Sequence, residues 1–331
     1  MTSRITDRWR EVVPLISNEG FTGRINGLAK QRPIRVLIMG YPYFVNRLRE
    51  LGQDAEYQLV PLPRTRFGRY LALLRADLIY LIGGDLRRNR FFDIAFLLRK
   101  HLIVHWVGSD ILEMKDWRDQ RHRFAPRMVK KAEHWAEVDW TAAELAELGI
   151  QARIVPLTPA VFPEDTYEIP SKFVVLTYLP PGKEEFYGEK EIIKLAQHFP
   201  EIVFLAAAAS SAEPRPGWPS NLIPIGWVNN MAELYREVIV LVRLTQHDGL
   251  SFMVLEALAQ ARFVVWSYPL AGVAQARNCA EAVPVLADLY QAFCNRQLVP
   301  NWEGRQKVTE NYSPQAVWRQ ISRGIAAVLA R

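Results

Sequence analysis

Short β-branched runs alternate with helix-patterned stretches along most of this chain, in two separate series. In the first, the patterns predict strands over 34–39, 57–61, 77–82, 102–107 and 152–155. Helices are predicted over 66–75, 91–99, 118–137 (with a break near Pro126) and 142–148, and a short strand before the last of these. In the second, strands are predicted over 173–178, 202–207, 222–225, 238–244 and 263–267, and helices over 189–198, 231–236, 252–259 and 315–329. Strands that alternate with helices in this way build parallel sheet from βαβ units. Between the two series, PLTPAVFPEDTYEIPS (156–171) has four prolines and no periodicity. The expected architecture is α/β, with two doubly wound, Rossmann-like domains and a cleft between them. Residues 34–156 would form the first domain, 157–171 a Pro-rich linker and 172–310 the second domain. A helix and basic connector (1–33) would precede them, and a last helix (311–331) could cross back to the first domain.

Composition narrows the class. Half of the 331 residues are apolar, enough for two cores, but no stretch resembles a membrane span. The charged start MTSRITDRWREVV does not read as a signal peptide, so a cytoplasmic protein is expected. Cys279 and Cys294 are too few for a disulfide framework or a Cys-rich zinc site, and read as reduced core residues. Charge is uneven. Residues 1–156 carry 26 Lys and Arg against 18 Asp and Glu, while residues 157–331 carry 15 against 17. A basic first half suits an anionic partner. A membrane surface, docked through Arg64, Arg66, Arg69, Arg87, Arg88 and Arg90, is the leading candidate. Nucleic acid is disfavoured, because no recognition motif accompanies the charge.

Open parallel sheets bind ligands at the carboxyl ends of their strands. In the first series those ends read Gly40-Tyr41-Pro42-Tyr43, Gly83-Gly84-Asp85 and Gly108-Ser109-Asp110. In the second they read YLPPGK (178–183), Gly226-Trp227-Val228 and TQHDGLS (245–251). The last loop runs directly into the helix FMVLEALA, whose first N–H groups suit an anion such as a phosphate. Ser251 could instead cap that helix. Glu256 is a lone carboxylate in an apolar helix. It must hold ligand hydroxyls or pair with a cation such as Arg243 or Arg277. Asp110 reads either as a base or acceptor contact, or as a helix cap.

Asp248, seven intervening residues, Glu256 and the following strand resemble the E-x7-E signature of retaining GT-B glycosyltransferases, above all glycosyltransferase family 4. Residues 221–235, 102–110 and the helix after Tyr312-Ser313-Pro314 are similar to further family segments in the same order. The resemblance implies a cytoplasmic enzyme, peripheral to the membrane, that moves a sugar from a nucleoside-diphosphate sugar to a glycan or lipid-linked acceptor with retention. No cofactor and no metal are implied. Glu256 would hold the ribose, Asp248 would contact the donor sugar, Gly249, Leu250 and Ser251 would line the sugar and diphosphate, and Gly226, Trp227 and Val228 would frame the base. Gly40, Tyr41, Pro42, Gly84 and His105 would lie on the acceptor side, with Asp110 as base or acceptor contact.

The chain departs from the family in four places. Asp replaces Glu at 248. The loop YLPPGKEEFYGEKE has no Arg for the usual Arg–Lys diphosphate grip, leaving Lys183, with Arg243 as a further substitute. The first loop has Tyr where Gly-Gly is common, and Val107 takes the place of a common His. Two rival readings follow from these departures. One is an inverting transferase or epimerase on the same fold, and the other is a catalytically silent GT-B subunit that binds a glycan or protein.

Overall fold

The computed structural model describes residues 32–52, 54–163, 168–209 and 215–331. The helix and all but the last two residues of the basic connector expected over 1–33 lie outside the described residues. Residues 34–331 form one unit built on two six-stranded sheets, parallel throughout.

The first sheet takes its strands in the order β2-β1-β3-β4-β5-β6. Along the chain they are β1 (Ile34–Gly40), α1 (Pro42–Leu51), β2 (Tyr57–Pro61), α2 (Arg66–Arg75), β3 (Leu78–Ile82), α3 (Arg90–Leu97) and β4 (His101–Trp106). Then come α4 (Ser109–Asp119), α5 (Pro126–Lys131), β5 (Glu133–Ala136), α6 (Asp139–Glu147) and β6 (Ala152–Ile154). The long helix expected over 118–137 is a misreading. Pro126 starts α5 at a position where its missing N–H is harmless, rather than kinking a helix. Residues 133–136 pair with β4 as a strand, so tertiary pairing overrides local pattern there.

The second sheet runs β12-β11-β10-β7-β8-β9. Its elements are β7 (Val174–Tyr178), α7 (Glu189–His198), β8 (Val203–Ala207), β9 (Leu222–Gly226), α8 (Met231–Glu237), β10 (Val240–Arg243), α9 (Phe252–Ala259), β11 (Phe263–Trp266) and β12 (Ala274–Gln275). After these come α10 (Cys279–Cys294), α11 (Trp302–Tyr312) and α12 (Pro314–Leu329). The sequence patterns leave α10 and α11 unread. Pro284 lies inside α10, and α11 is polar on most of its surface. The cysteines are free, but Cys294 is exposed and Cys279 only half-buried, so neither is the core residue expected.

The last helix is amphipathic in the ordinary way. Val317, Ile321, Ile325 and Val328 recur at helical spacing and bury against Val36, Ile38 and Tyr80 of the first sheet. Ser313 caps its start, accepting from Ala316 N at 3.4 Å, and Pro314 occupies the first turn. The first sheet is thus covered by the C-terminal end of the chain.

In sheets of this kind the order of strands reverses at one place, and the crevice there is where ligands bind. In the first sheet this place lies between β1 and β3, and in the second between β7 and β10. The Pro-rich segment between the sheets is not a loose tether at its start. Leu157, Thr158 and Ala160 are buried, and Glu137 Oε1 accepts from Leu157 N (3.2 Å), Thr158 N (3.0 Å) and Thr158 Oγ1 (2.7 Å).

Candidate active site

A cavity of about 500 Å³ opens at the β7/β10 reversal of the second sheet, large enough for a small-molecule ligand. Its walls come from both halves of the chain. Tyr43, Phe44 and Val107 line it from the first half, and Tyr178, Tyr187, Trp227, Val228, Arg243 and residues 248–253 from the second.

Arg243 ends β10 with its side chain buried. Its Nε donates to Asp248 Oδ2 at 2.5 Å, and its guanidinium carbon lies 4.9 Å from the Tyr187 ring centroid and 5.7 Å from that of Tyr178. Buried charges are kept only when paired. Arg243 and Asp248 satisfy that rule with each other, and they are the only charged residues among those lining the cavity. Gly249, Leu250 and Ser251 complete the turn into α9. Ser251 stands at the N-cap position, yet its side chain makes no capping hydrogen bond, so capping is not its role here.

The loop carrying Asp248 is held by the first half of the chain at several points. Trp140 Nε1 donates to Asp248 O at 2.8 Å. His247 Nε2 lies 2.9 Å from Glu144 Oε2. The Phe252 ring packs against Tyr43 and Phe44, with centroids 5.2 and 5.6 Å away. Gly249 lies so close to the strand-end loop of β4 that an added Cβ would sit 2.4 Å from Val107 O. Glycine at 249 therefore serves this backbone contact as well as the turn.

Glu256 is not among the residues lining the cavity. Burial raises its carboxyl above the ordinary value, while Arg47 of α1 and the Tyr235 hydroxyl pull it back. Neither Arg243 nor Arg277 is its partner: Arg243 pairs with Asp248, and Arg277 lines a different cavity. The Arg47 guanidinium also lies 4.7 Å from the Phe252 ring centroid. Sequence reasoning did not find Arg47, because nothing local marks it.

Trp227 stands 76% exposed at the edge of the cavity beside Val228, after Gly226 turns the chain with a positive φ of 65°. Lys183 lies elsewhere, exposed in a separate cavity of about 660 Å³ with Ser109, Glu184 and Arg215. It is not among the residues lining the Arg243 cavity, although Tyr187 borders both.

The residues expected on the acceptor side are placed differently from their expected role. His105 is fully buried, with Nδ1 2.7 Å from Tyr80 Oη and Nε2 2.8 Å from Val155 O. Burial pushes its pKa down to about 3, so it is a neutral core histidine that links β4 to the end of β6. Asp110 is also buried. Its carboxylate accepts from Gly84 N (2.5 Å), Gly108 N (2.9 Å), Ile111 N (3.1 Å) and Val107 N (3.2 Å). Burial still pushes it up to about 6. Those bonds tie two strand-end loops together, and the carboxylate is not part of the cavity wall. Gly40, Tyr41, Pro42 and Gly84 are likewise absent from the wall, where Tyr43 and Phe44 stand instead. Gly40 is fixed by the backbone: a Cβ there would lie 1.8 Å from Ile82 O. Pro42 occupies the first turn of α1.

Among the described residues there is no cluster of three or more His, Cys, Asp or Glu placed to hold a metal, and no helix long and apolar enough to cross a membrane.

Solved structures match this architecture over nearly the whole chain. HepE of Anabaena, crystallised with UDP and glucose, aligns with a TM-score of 0.61 at 10% identity over 89% of this chain and 100% of its own. The lipopolysaccharide outer core galactosyltransferase WaaB, in its apo form, aligns with a TM-score of 0.63 at 11% identity over 88% of this chain and 99% of its own. Sucrose-phosphate synthase from Thermosynechococcus elongatus gives 0.61 at 13% identity, over 90% of this chain and 100% of its own. The chain has the GT-B glycosyltransferase fold. The GT-B likeness is one of structure: no protein-family profile matches the sequence, and neither does any curated protein. In GT-B terms the cavity lies in the cleft between the two Rossmann-like halves.

Proposed function

We propose that this chain is a glycosyltransferase that takes a sugar from a nucleoside-diphosphate sugar and passes it, with retention, to a hydroxyl of a glycan or lipid-linked acceptor. The observation that carries this reading is the buried Arg243 at the β7/β10 crevice, beside the N-terminus of α9. A diphosphate placed there meets one fixed cation and the first N–H groups of a helix. Asp248 is the anion paired with Arg243 in this structure, and a diphosphate bound at the helix start would compete with it for the guanidinium. The released carboxylate faces the donor sugar. Trp227 stacks on the base, and Glu256, which lies behind the wall residues Phe252 and Met253, receives the ribose hydroxyls, with Arg47 offsetting part of the burial that raises its carboxyl. This assignment follows the pattern of glycosyltransferase family 4, with Arg243 replacing the missing Arg–Lys grip.

Retention is taken from the resemblance of Asp248, seven residues and Glu256 to the signature of retaining enzymes. An inverting route would need a general base beside the acceptor, a place that only Asp248 could fill among the carboxylates of the wall. In the retaining route the bond from the anomeric carbon to the phosphate oxygen breaks, and the acceptor oxygen bonds on the same face. The acceptor's proton passes to the departing diphosphate. Arg243 and the helix N-terminus stabilise the charge that develops there.

Calorimetry with nucleoside diphosphates and the matching nucleosides tests the donor site. A diphosphate should bind better than its nucleoside. Arg243→Gln should weaken diphosphate binding about 100-fold, in line with loss of a buried charge-assisted contact. Asp248→Asn should tighten it while abolishing turnover. The Arg243–Asp248 pair also suits the silent-subunit reading, since it leaves no unpaired cation in the wall. That reading takes over if no nucleoside diphosphate binds.

A further inference from the structure

The loop that carries Asp248 borders a second opening, through Thr245 and Gln246 rather than through Asp248 itself. This cavity, of about 550 Å³, lies at the carboxyl ends of β10, β11 and β12 and shares no lining residue with the Arg243 cavity. A neighbouring cavity of about 660 Å³ has Trp140, Pro269 and Gln275 in common with it, so the two adjoin as one groove. Asp139 and Trp140, at the start of α6, form its wall from the first half of the chain.

The groove combines a fixed aromatic pair with polar groups that the fold does not use. Trp140 and Tyr268 are half-buried and stacked, with ring centroids 5.0 Å apart and 26° between their planes. Trp140 is held by its bond from Nε1 to Asp248 O, and the Tyr268 hydroxyl donates to Gln246 O at 3.3 Å. Gln246 Nε2 donates to Glu185 O at 3.3 Å, and Gln275 Nε2 to Ser267 O at 3.2 Å. Among the described residues, neither glutamine's amide oxygen accepts a hydrogen bond, and the Arg277 side chain makes no ion pair. Side chains already held in place lose little freedom when a ligand binds. Arg277 is the one cation lining the groove and Asp139 the one carboxylate, so their charges cancel.

We infer that this groove is a second ligand site, which binds a neutral oligosaccharide with one ring against the Trp140–Tyr268 pair and its hydroxyls on Gln246, Gln275 and Arg277. A pyranose is apolar across its C–H faces and polar around its rim. It therefore needs an aromatic surface flanked by both donors and acceptors, which amide and guanidinium groups supply. Two adjoining cavities give room for more than one sugar unit. A phosphorylated ligand would meet one exposed arginine and be repelled by Asp139. A protein segment would find little to bury, because none of the large apolar side chains exposed on the surface lines the groove. A sugar held here rests against the start of the loop that carries Asp248. Any influence of that contact on sugar transfer rests on the proposed function, while binding itself does not.

A microarray of neutral and acidic oligosaccharides, probed with the full chain in the absence of nucleotide, tests the inference. Neutral glycans should be retained, and the strongest of them in free form should change the tryptophan fluorescence on titration. Q275A/R277A should weaken that binding about tenfold, through loss of polar contacts to the sugar rim. Both positions are exposed, so thermal unfolding should stay unchanged and the comparison does not turn on folding. Saturating UDP should leave the oligosaccharide bound, because the two cavities are separate. Displacement of the sugar by UDP would put it in the Arg243 cavity and overturn the inference. So would an array without signal, a signal confined to acidic glycans, or binding that Q275A/R277A leaves intact. Sugar binding that persists in a protein with no affinity for any nucleoside diphosphate would uphold the groove and count against the donor site alone.

Discussion

A Cβ added at Gly40 would lie 1.8 Å from Ile82 O, and one added at Gly84 would lie 2.0 Å from the Trp106 ring. A Cβ at Gly226, at the end of the edge strand β9 in the second sheet, would meet nothing within 4 Å. The carboxylates differ in the same sense. Asp110, in the first half, is enclosed by four backbone N–H groups, while Asp248, in the second, faces a cavity and holds a single arginine. Both sheets have glycine at the strand ends where ligands are sought. In the first, the chain itself fills the space that glycine leaves. In the second, the space beside Gly226 stays open to a ligand, while that beside Gly249 is filled by Val107 of the first half. A glycine at a strand end therefore signals close approach, and the neighbouring chain decides what approaches.

This contrast predicts different costs for one added methyl group. Gly40→Ala forces a carbon into a backbone carbonyl at a φ of 122°, and should destabilise by about 4 kcal/mol, the range of severe core damage. Gly226→Ala meets open space and bears only the strain of left-handed backbone, about 1 kcal/mol. Chemical denaturation of both variants measures the gap. Equal losses would break the comparison.

Asp110 gives the next largest effect. Removing its carboxylate in Asp110→Ala leaves four donors unanswered in a buried site, a loss of about 3 kcal/mol. Turnover of the folded protein, measured well below its unfolding temperature, should fall by less than about tenfold if Asp110 only holds loops together, because a general base contributes about 100-fold or more. A variant of normal stability and no turnover would return Asp110 to the chemistry.

What could be read from the sequence, and what could not, divides along the same line. The two α/β series were legible because strand and helix periods are local: the strand over 57–61 and the helix over 66–75 coincide with β2 and α2. The helix read over 118–137 failed where β5 forms through pairing with β4, a contact that local pattern does not carry. In the cavity, Arg243, Asp248, Gly249, Leu250 and Ser251 are close in sequence, so one loop places them together. Tyr43, Phe44 and Val107 come from the other half, more than 100 residues away, and no local signal links them to Asp248. His105 and Asp110 have the residue types of a site but are enclosed by hydrogen bonds that only the folded backbone supplies.

A smaller effect should appear in the pH profile. Burial raises Glu137 from 4.5 to about 8, despite three donors from Leu157 and Thr158. In the unfolded chain the same carboxyl loses its proton near 4.5. Between those values the unfolded state binds fewer protons, so stability falls as pH rises through the window. Asp110, raised from 3.8 to about 6, acts in the same direction at lower pH. Melting temperature should therefore decline between pH 5 and pH 8, and Glu137→Gln should flatten the upper part of that decline. Parallel profiles for the two proteins would show that Glu137 is ionised in the fold.

The smallest expected change in stability is at Trp227, and it tests the second half of the comparison most directly. The side chain is 76% exposed, so Trp227→Ala should shift unfolding by no more than about 0.5 kcal/mol. If it stacks on a nucleotide base, the same substitution should weaken diphosphate and nucleoside binding alike, by about tenfold. Arg243→Gln should instead weaken only the diphosphate, since it answers the charge and not the base. Loss of both ligands in one variant and of one in the other would assign two ends of a single ligand along the cavity. Equal behaviour of the two variants would mean that Trp227 and Arg243 do not contact separate parts of it.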